Sequence, residues 1–408
     1  MKKLFNFLSI TLLAIGTISA QASNPTLNEV LDLINKDSLR RTVQDMQDFE
    51  SRLCIKTVGQ NRQVAQYLAD RLKAYGIENA RIDSFYIEVR IWGIDYAQYM
   101  YNVLGTLTGT GTTDSTVIIG AHLDAVSLDA PQVLSATAPG ADDNATGCAV
   151  MIEMARIIHE NNLKPRHNID FMAYDAEELG LFGAYYDANK RRAANEKIIV
   201  MINNDMVGHQ PEDKVWEVVL HWYNNSLDVT EKARQALVDY TWVTPFVPTP
   251  EQNGSAQNSD SWAYYQKNFR ATFAIEKHFN PYYHSPNDII DHLNFEYCRE
   301  IARMNFVLLA YYSGINLPLL SIIQNNTHNN YNIDVFPNPA NDIIRVHNYN
   351  DVIINQIDIH DLSGRLMKSV RNIMQQQNLI HLNNLSSGIY FMRIHTDKGV
   401  VNKKIIKN

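Results

Sequence analysis

Apolar residues recur at helical spacing from about Leu27 to Tyr75, most clearly in NRQVAQYLADRLKAYGI. There Val64, Leu68, Leu72 and Ile77 follow the repeat up to and just past a stop at Gly76. The pattern then changes. STVIIGAHLD, HNIDFMAYD and EKIIVMINND are short apolar runs rich in β-branched residues and read as buried strands, whereas GCAVMIEMARIIHENN and LGLFGAYYDANKRRAAN read as helices between them. Strands alternating with helices predict an α/β fold with helices on both faces of the sheet, a three-layer α/β/α sandwich. Each of the three strands ends in a polar cluster, AHLDA, YDAEE and NNDM. Sites in open α/β sheets gather at the carboxyl ends of strands, so one pocket is expected to draw on all three. GTLTGTGTTDST lacks the GK[ST] ending of a phosphate loop and reads as a turn joining two strands.

Both ends depart from this pattern. MKKLFNFLSITLLAIGTISAQAS has two lysines, an apolar run and small residues, the layout of a secretory leader over residues 1–22, with cleavage after Ala20 or Ala22 equally compatible. Its apolar core is shorter than the ~20 residues of a spanning helix, and nothing later reads as transmembrane. A catalytic domain is expected over 23–322, an asparagine-rich linker over 323–331, and a small all-β sandwich over 332–408, where DIIRVHN, VIINQIDIH and GIYFMRIHT alternate between Asn, Gly and Ser turns.

Charge narrows the possible partners. The chain carries −8 overall, yet residues 331–408 hold nine Lys/Arg against six Asp and the leader two Lys, so the body between them is markedly acidic. That argues against nucleic acid as a partner. Three cysteines, Cys54, Cys148 and Cys298, are too few and too scattered for a disulfide framework or a thiolate metal site. A bound metal must therefore rest on imidazole and carboxylate.

The groups such a centre requires occur in order: His122 and Asp124 in GAHLDAV, Asp142 in GADDN, Glu177 and Glu178 in DAEELG, Asp205 in NNDMVG and His284 in YYHSPND. Two divalent ions a few ångströms apart need a bridging carboxylate, further carboxylates and histidines, and a free carboxylate to move protons. Each cluster alone has an ordinary explanation. Asp-Asp in a turn caps helices, Glu-Glu before a helix complements its dipole, and a single histidine is commonly surface or core. Their conjunction is what points to metal chemistry, and the side-by-side acids of APGADDNATG then make sense as charge compensated by cations. Rival motifs are missing: no H-E-x-x-H, no G-x-S-x-G, and Ser259 and Ser261 near Asp260 belong to no ordered Ser/His/acid set.

AHLDAV, PGADDNATG, FMAYDAEELGLFGA, NNDMVG and HSPNDII, in this order, resemble the dizinc aminopeptidase family of the bacterial leucyl aminopeptidase type, over about residues 52–315. The resemblance implies that His122 and Asp205 bind one zinc, Glu178 and His284 the other, and that Asp142 bridges both. It also implies Glu177 as general base and Asp124 as the group orienting the His122 ring. The resemblance further implies a mixed central sheet, and a cis peptide after the bridging aspartate, which would fall at Asp142–Asp143. The implied reaction is hydrolysis of the first peptide bond of substrates with a free N-terminus, by a water held between the metals. The tyrosine and flanking cysteines common before the SD segment are replaced by NGSAQNSDSW, which leaves Tyr282 or Tyr283 to assist the oxyanion or simply to pack. Alternatives of similar fold are a single-zinc glutaminyl-peptide cyclase, a carboxypeptidase using Arg270 or Lys277 as the carboxylate anchor, and a noncatalytic binding ectodomain. VFPNPANDII, IHDLSGR and LSSGIYFMRI followed by KKIIK resemble the C-terminal sorting domain of Bacteroidetes proteins exported by the type nine route. That implies recognition by outer-membrane secretion machinery and a secreted or cell-surface destination; a carbohydrate-binding sandwich is the alternative.

Overall fold

The computed structural model describes residues 26–317, except 54–59, 92, 131–132 and 135–136, and residues 333–408, except 349–352, 362–364, 372–376 and 398. The expected leader, the linker, the boundaries on either side of them and Cys54 lie outside the described residues.

Three helices open the described chain: α1 (Leu27–Asp32), α2 (Lys36–Gln47) and α3 (Gln60–Ala74). Thr26 and Glu29 cap α1 reciprocally, and Asn35 caps α2 by accepting from the N–H groups of Asp37 and Ser38. A long antiparallel hairpin follows, β1 (Arg81–Ile91) and β2 (Ile94–Leu107), then β3 (Ser115–His122) and a small ribbon, β4 (Leu128–Ala130) with β5 (Val133–Leu134). Next come α4 (Gly147–Glu160), β6 (Asn168–Tyr174), α5 (Phe182–Ala193), β7 (Lys197–Asn204), β8 (Glu217–His221), α6 (Leu227–Tyr240), β9 (Thr244–Phe246), α7 (Ser261–Gln266), β10 (Ala271–Glu276) and α8 (Phe295–Ser313).

The main sheet has eight strands in the order β1-β2-β6-β3-β7-β10-β8-β9. Its centre, β6-β3-β7-β10, is parallel, and antiparallel β2 and β8 flank it. Successive side chains of a strand face opposite layers, and β3 shows this directly. Val117, Ile119 and Ala121 join the larger core with α1–α4, α6 and α8, while Ile118 joins the smaller one with α5 and α7. This is the expected three-layer sandwich. Because the four central strands run the same way, the residues following β3, β6, β7 and β10 emerge at one edge of the sheet.

The strand-to-helix passage before α4 is tightly built. Gly140 lies at φ 52°, in the left-handed region, and a Cβ on Gly147 would come within 2.4 Å of both Asn204 O and Asn144 Oδ1. Any side chain at Gly147 would drive the start of α4 away from the end of β7. The conformation between them is a distorted turn that departs from helical φ/ψ at Asp143 and Asn144.

The C-terminal residues form two antiparallel sheets. One contains β11 (Ile333–Phe336), β12 (Ile343–Asn348) and β15 (Gln377–His381); the other contains β13 (Ile354–His360), β14 (Leu366–Val370), β16 (Gly388–Thr396) and β17 (Gly399–Lys407). Ile344, Val346 and Ile380 of the first pack with Ile357, Ile359, Met392, Ile394 and Ile405 of the second, which makes the unit the predicted small sandwich.

Candidate metal centre

Four strand ends deliver the site. His122 is the last residue of β3 and Asp124 follows it; Glu177 and Glu178 follow β6, Asp205 follows β7, and His284 lies on the loop after β10. His122, Glu177 and Asp205 place one potential ligand atom each within 4.8 Å of one another, as do His122, Asp143 and Glu178. His284 Nε2 completes the second group, 2.8 Å from Glu178 Oε2 and 3.2 Å from Asp143 Oδ2.

One expected ligand is corrected. Asp143, not Asp142, stands between the two histidines, with Oδ1 3.1 Å from His122 Nε2 and Oδ2 3.2 Å from His284 Nε2. Asp142 faces the other way. Its Oδ1 accepts the Gly208 N–H at 3.0 Å and its Oδ2 accepts from Asn280 Nδ2 at 3.0 Å, so its carboxylate is committed to the protein interior. In this distorted turn Asp143 faces the pocket and Asp142 the interior. The non-proline cis peptide is correspondingly one residue later than expected, at Asp143–Asn144.

The other expected residues come together, and their supports are visible. Asp124 is fully buried; its Oδ1 and Oδ2 accept the N–H groups of Glu177 (3.1 Å) and Glu178 (3.3 Å), and Oδ1 lies 3.5 Å from His122 Nδ1. It therefore aims the imidazole and fixes the acidic turn together. Ser259, which belongs to no ordered Ser/His/acid set in the sequence, donates to Asp205 Oδ2 at 2.7 Å and accepts from Asn203 Nδ2 at 2.7 Å. Arg52 stands at the start of the stretch that carries the resemblance. It is completely buried and donates to the carbonyls of Leu123 (2.9 Å), Gly140 (2.7 Å) and Pro139, clamping the loop before Asp143 to the end of β3. A short-range pattern could not reveal this, since the contacts span more than seventy residues.

The electrostatics describe a site short of positive charge. Burial, then the charges of Asp205 and Glu178, push Glu177 well above the usual carboxylate range despite the opposing His122. Burial and Asp143 push Glu178 up to about 8. Burial would raise Asp143 too, but the adjacent imidazoles of His122 and His284 hold it below its ordinary value. Burial would lower His284, yet Asp143 and Glu178 bring it up to about 10. Without cations these groups must take up protons to coexist. Asp260, also fully buried, has neither carboxylate oxygen hydrogen-bonded, and neither does Glu178 Oε1.

Geometry agrees with a cation. His284 Nε2 lies near two carboxylates but has hydrogen-bond geometry to neither, so it aims between them. Imidazole and carboxylate converging on common points are the donor set that suits zinc. The cations proposed from sequence as carboxylate anchors are engaged elsewhere: Arg270 pairs with Asp228, and Lys277 Nζ sits 3.8 Å over the Phe246 ring. Tyr282 stacks on His292 with ring centroids 3.9 Å apart, whereas Tyr283 stacks on His284 at 3.6 Å and senses the charges of Asp143, Glu178, Asp205 and Glu177. Of the two tyrosines, Tyr283 borders the centre. Cys148 and Cys298 are buried free thiols, so they form no disulfide with one another.

Comparison with known proteins adds two matched regions. The profile of peptidase family M28 matches residues 102–309, and that of the secretion system C-terminal sorting domain matches residues 334–408. A probable leucine aminopeptidase of Arthroderma otae is 26% identical over 280 residues, 66% of this chain and 71% of the relative. Among solved structures, an aminopeptidase from Aneurinibacillus sp. strain AM-1 superposes with a TM-score of 0.58 at 15% identity, covering 71% of this chain and 97% of that one. A glutaminyl cyclase of Bacteroides thetaiotaomicron superposes with a TM-score of 0.53 at 18% identity, covering 67% and 96%. The fold alone thus suits both chemistries.

Proposed function

This chain belongs to peptidase family M28, and from that premise we propose that it is a zinc-dependent aminopeptidase holding two ions and removing N-terminal residues from peptides. The observation that carries the two-ion reading is Asp143, whose two oxygens each face a different histidine. His122 and Asp205 would hold one ion, Glu178 and His284 the other, with Asp143 shared. Bound there, zinc supplies Lewis acidity toward the scissile carbonyl and acidifies a water molecule at the site.

The chain's own groups do the rest. Glu177 is buried beside His122 and Asp205. Its carboxylate takes the proton of the attacking water and returns it to the leaving amine nitrogen. Asp124 keeps Glu177 and Glu178 in register through their N–H groups, and Ser259 holds Asp205 in place. The excess of carboxylate favours a substrate's α-ammonium near the centre, which restricts cleavage to chain ends. The half-exposed Tyr283 supports substrate-side hydrogen bonding from the rim.

The sorting domain makes this a secreted or cell-surface protein, and among the described residues no helix is long and apolar enough to cross a membrane. We assign residues 23–322 to the catalytic unit and the sandwich after residue 331 to engagement of the secretion machinery. The test is to incubate zinc-loaded protein with free and N-acetylated peptides, including one beginning with glutamine. Release of single residues from free N-termini, abolished by a chelator, is expected. Loss of ammonia from the glutamine peptide with the chain intact would instead establish the cyclase chemistry.

A further inference from the structure

We propose that Asp288 is a positioning residue that locks the Asp143 loop to the His284 loop and so sets the spacing of the metal centre before any cation binds. The proposal rests on the two-ion reading above. Asp288 is 2% exposed and, among the described residues, makes no ion pair. Both oxygens of its side chain accept hydrogen bonds. Oδ1 accepts the Asp142 N–H at 3.0 Å and Oδ2 the Asp143 N–H at 3.1 Å, while its backbone carbonyl accepts the Ala141 N–H at 3.0 Å. Three successive amides of the loop that presents Asp143 therefore end on one residue.

That residue lies four positions beyond His284, on the same loop. Asn280 closes the unit, donating from Nδ2 to Asp142 Oδ2 at 3.0 Å and to Asp288 Oδ1 at 3.3 Å, while its own N–H reaches Glu276 Oε1 at 2.7 Å. Asp142 Oδ1 extends the hub to Gly208, three residues after Asp205. Segments carrying three of the five proposed ligands thus meet in one buried set of hydrogen bonds behind the centre. A carboxyl group accepting two backbone N–H groups and a side-chain amide is a strong fixture, because the three bonds together set its plane and position. It explains the paired acids of the sequence: Asp143 faces the pocket, and Asp142 faces the hub.

The test replaces Asp288→Asn, which keeps shape but offers only one acceptor oxygen to two backbone amides. Zinc affinity is measured by competition with a chromophoric chelator, the visible spectrum is recorded on cobalt-substituted protein, and thermal melting is followed with metal removed. Expected are a 10–100-fold weaker affinity, the range typical of partners that orient ligands without touching metal, and an altered cobalt spectrum. A variant with parental affinity and spectrum overturns the proposal, even if its metal-free melting temperature falls, since that marks a purely structural residue. If Asp288→Asn does not fold, Asn280→Ala removes the shared donor together with the acceptor for the Tyr282 N–H; a several-fold weaker affinity supports the hub and an unchanged one sinks it. A parent protein that holds fewer than two ions overturns the two-ion reading and this proposal together.

Discussion

Exchanging Asp143 and Asp142 in turn for asparagine separates the roles of the two adjacent acids. In Asp143→Asn a charge disappears from between His122 Nε2 and His284 Nε2, which lie 3.1 and 3.2 Å from its oxygens. Partners that only orient a ligand are worth 10–100-fold in metal affinity, so losing a shared ligand sets a floor of about 100-fold, or roughly 2.8 kcal/mol at about 1.4 kcal/mol per decade. Both ions weaken together, because both use this carboxylate. In Asp142→Asn the backbone N–H to Asp288 survives, and one of the two oxygens that accept the Gly208 N–H and Asn280 Nδ2 is lost. One buried donor is left unpaired, a cost of about 1–3 kcal/mol in stability, with zinc affinity kept within about tenfold. Elemental analysis after dialysis at fixed free zinc reports occupancy, urea unfolding reports stability, and release of N-terminal leucine from a peptide reports activity. The reverse pattern, with Asp142→Asn emptying the centre and Asp143→Asn holding two ions, would refute the reassignment.

Three further outcomes follow from the structure. Glu177→Gln should retain zinc and lower kcat by about 10²- to 10⁴-fold, the range of general acid–base catalysis; full turnover in steady-state assays would reject Glu177 as the base. Arg52→Met should destabilise the catalytic unit by several kcal/mol in urea unfolding, because the carbonyls of Leu123, Pro139 and Gly140 lose a buried donor at about 1–3 kcal/mol each; a loss under about 1 kcal/mol would show that those carbonyls find other partners. His221, buried against Phe273 and bonded to Asn253 Oδ1, is lowered from its ordinary value of 6.5 by burial. The unfolded chain therefore takes the proton first, so this stabilisation is present above about pH 6.5 and fades as pH falls toward the folded value. Melting temperature should drop less steeply between pH 7 and 5 in His221→Gln than in the parent, and identical slopes would remove His221 from the account.

Much of this protein was written in short range. The alternation of apolar strands and helices determined the three-layer sandwich, since a run such as VIIGAH can only be buried on both faces of a sheet. Polar residues placed directly after β3, β6 and β7 marked where the chemistry collects, because parallel strands deliver their ends to one edge. His122, Asp124, Glu177, Glu178 and Asp205 were legible for that reason, whereas His284, on the loop after β10, was legible only as the last member of the ordered set. What the sequence could not decide was direction. Asp142 and Asp143 are chemically identical neighbours, and which of them faces His122 and His284 depends on a turn whose shape is held by Asp288, Asn280 and Arg52 from 52 to 288 along the chain. Local pattern specifies which residues emerge together. The hydrogen bonds that fix their orientation join segments far apart in sequence, and those exist only once the chain has folded.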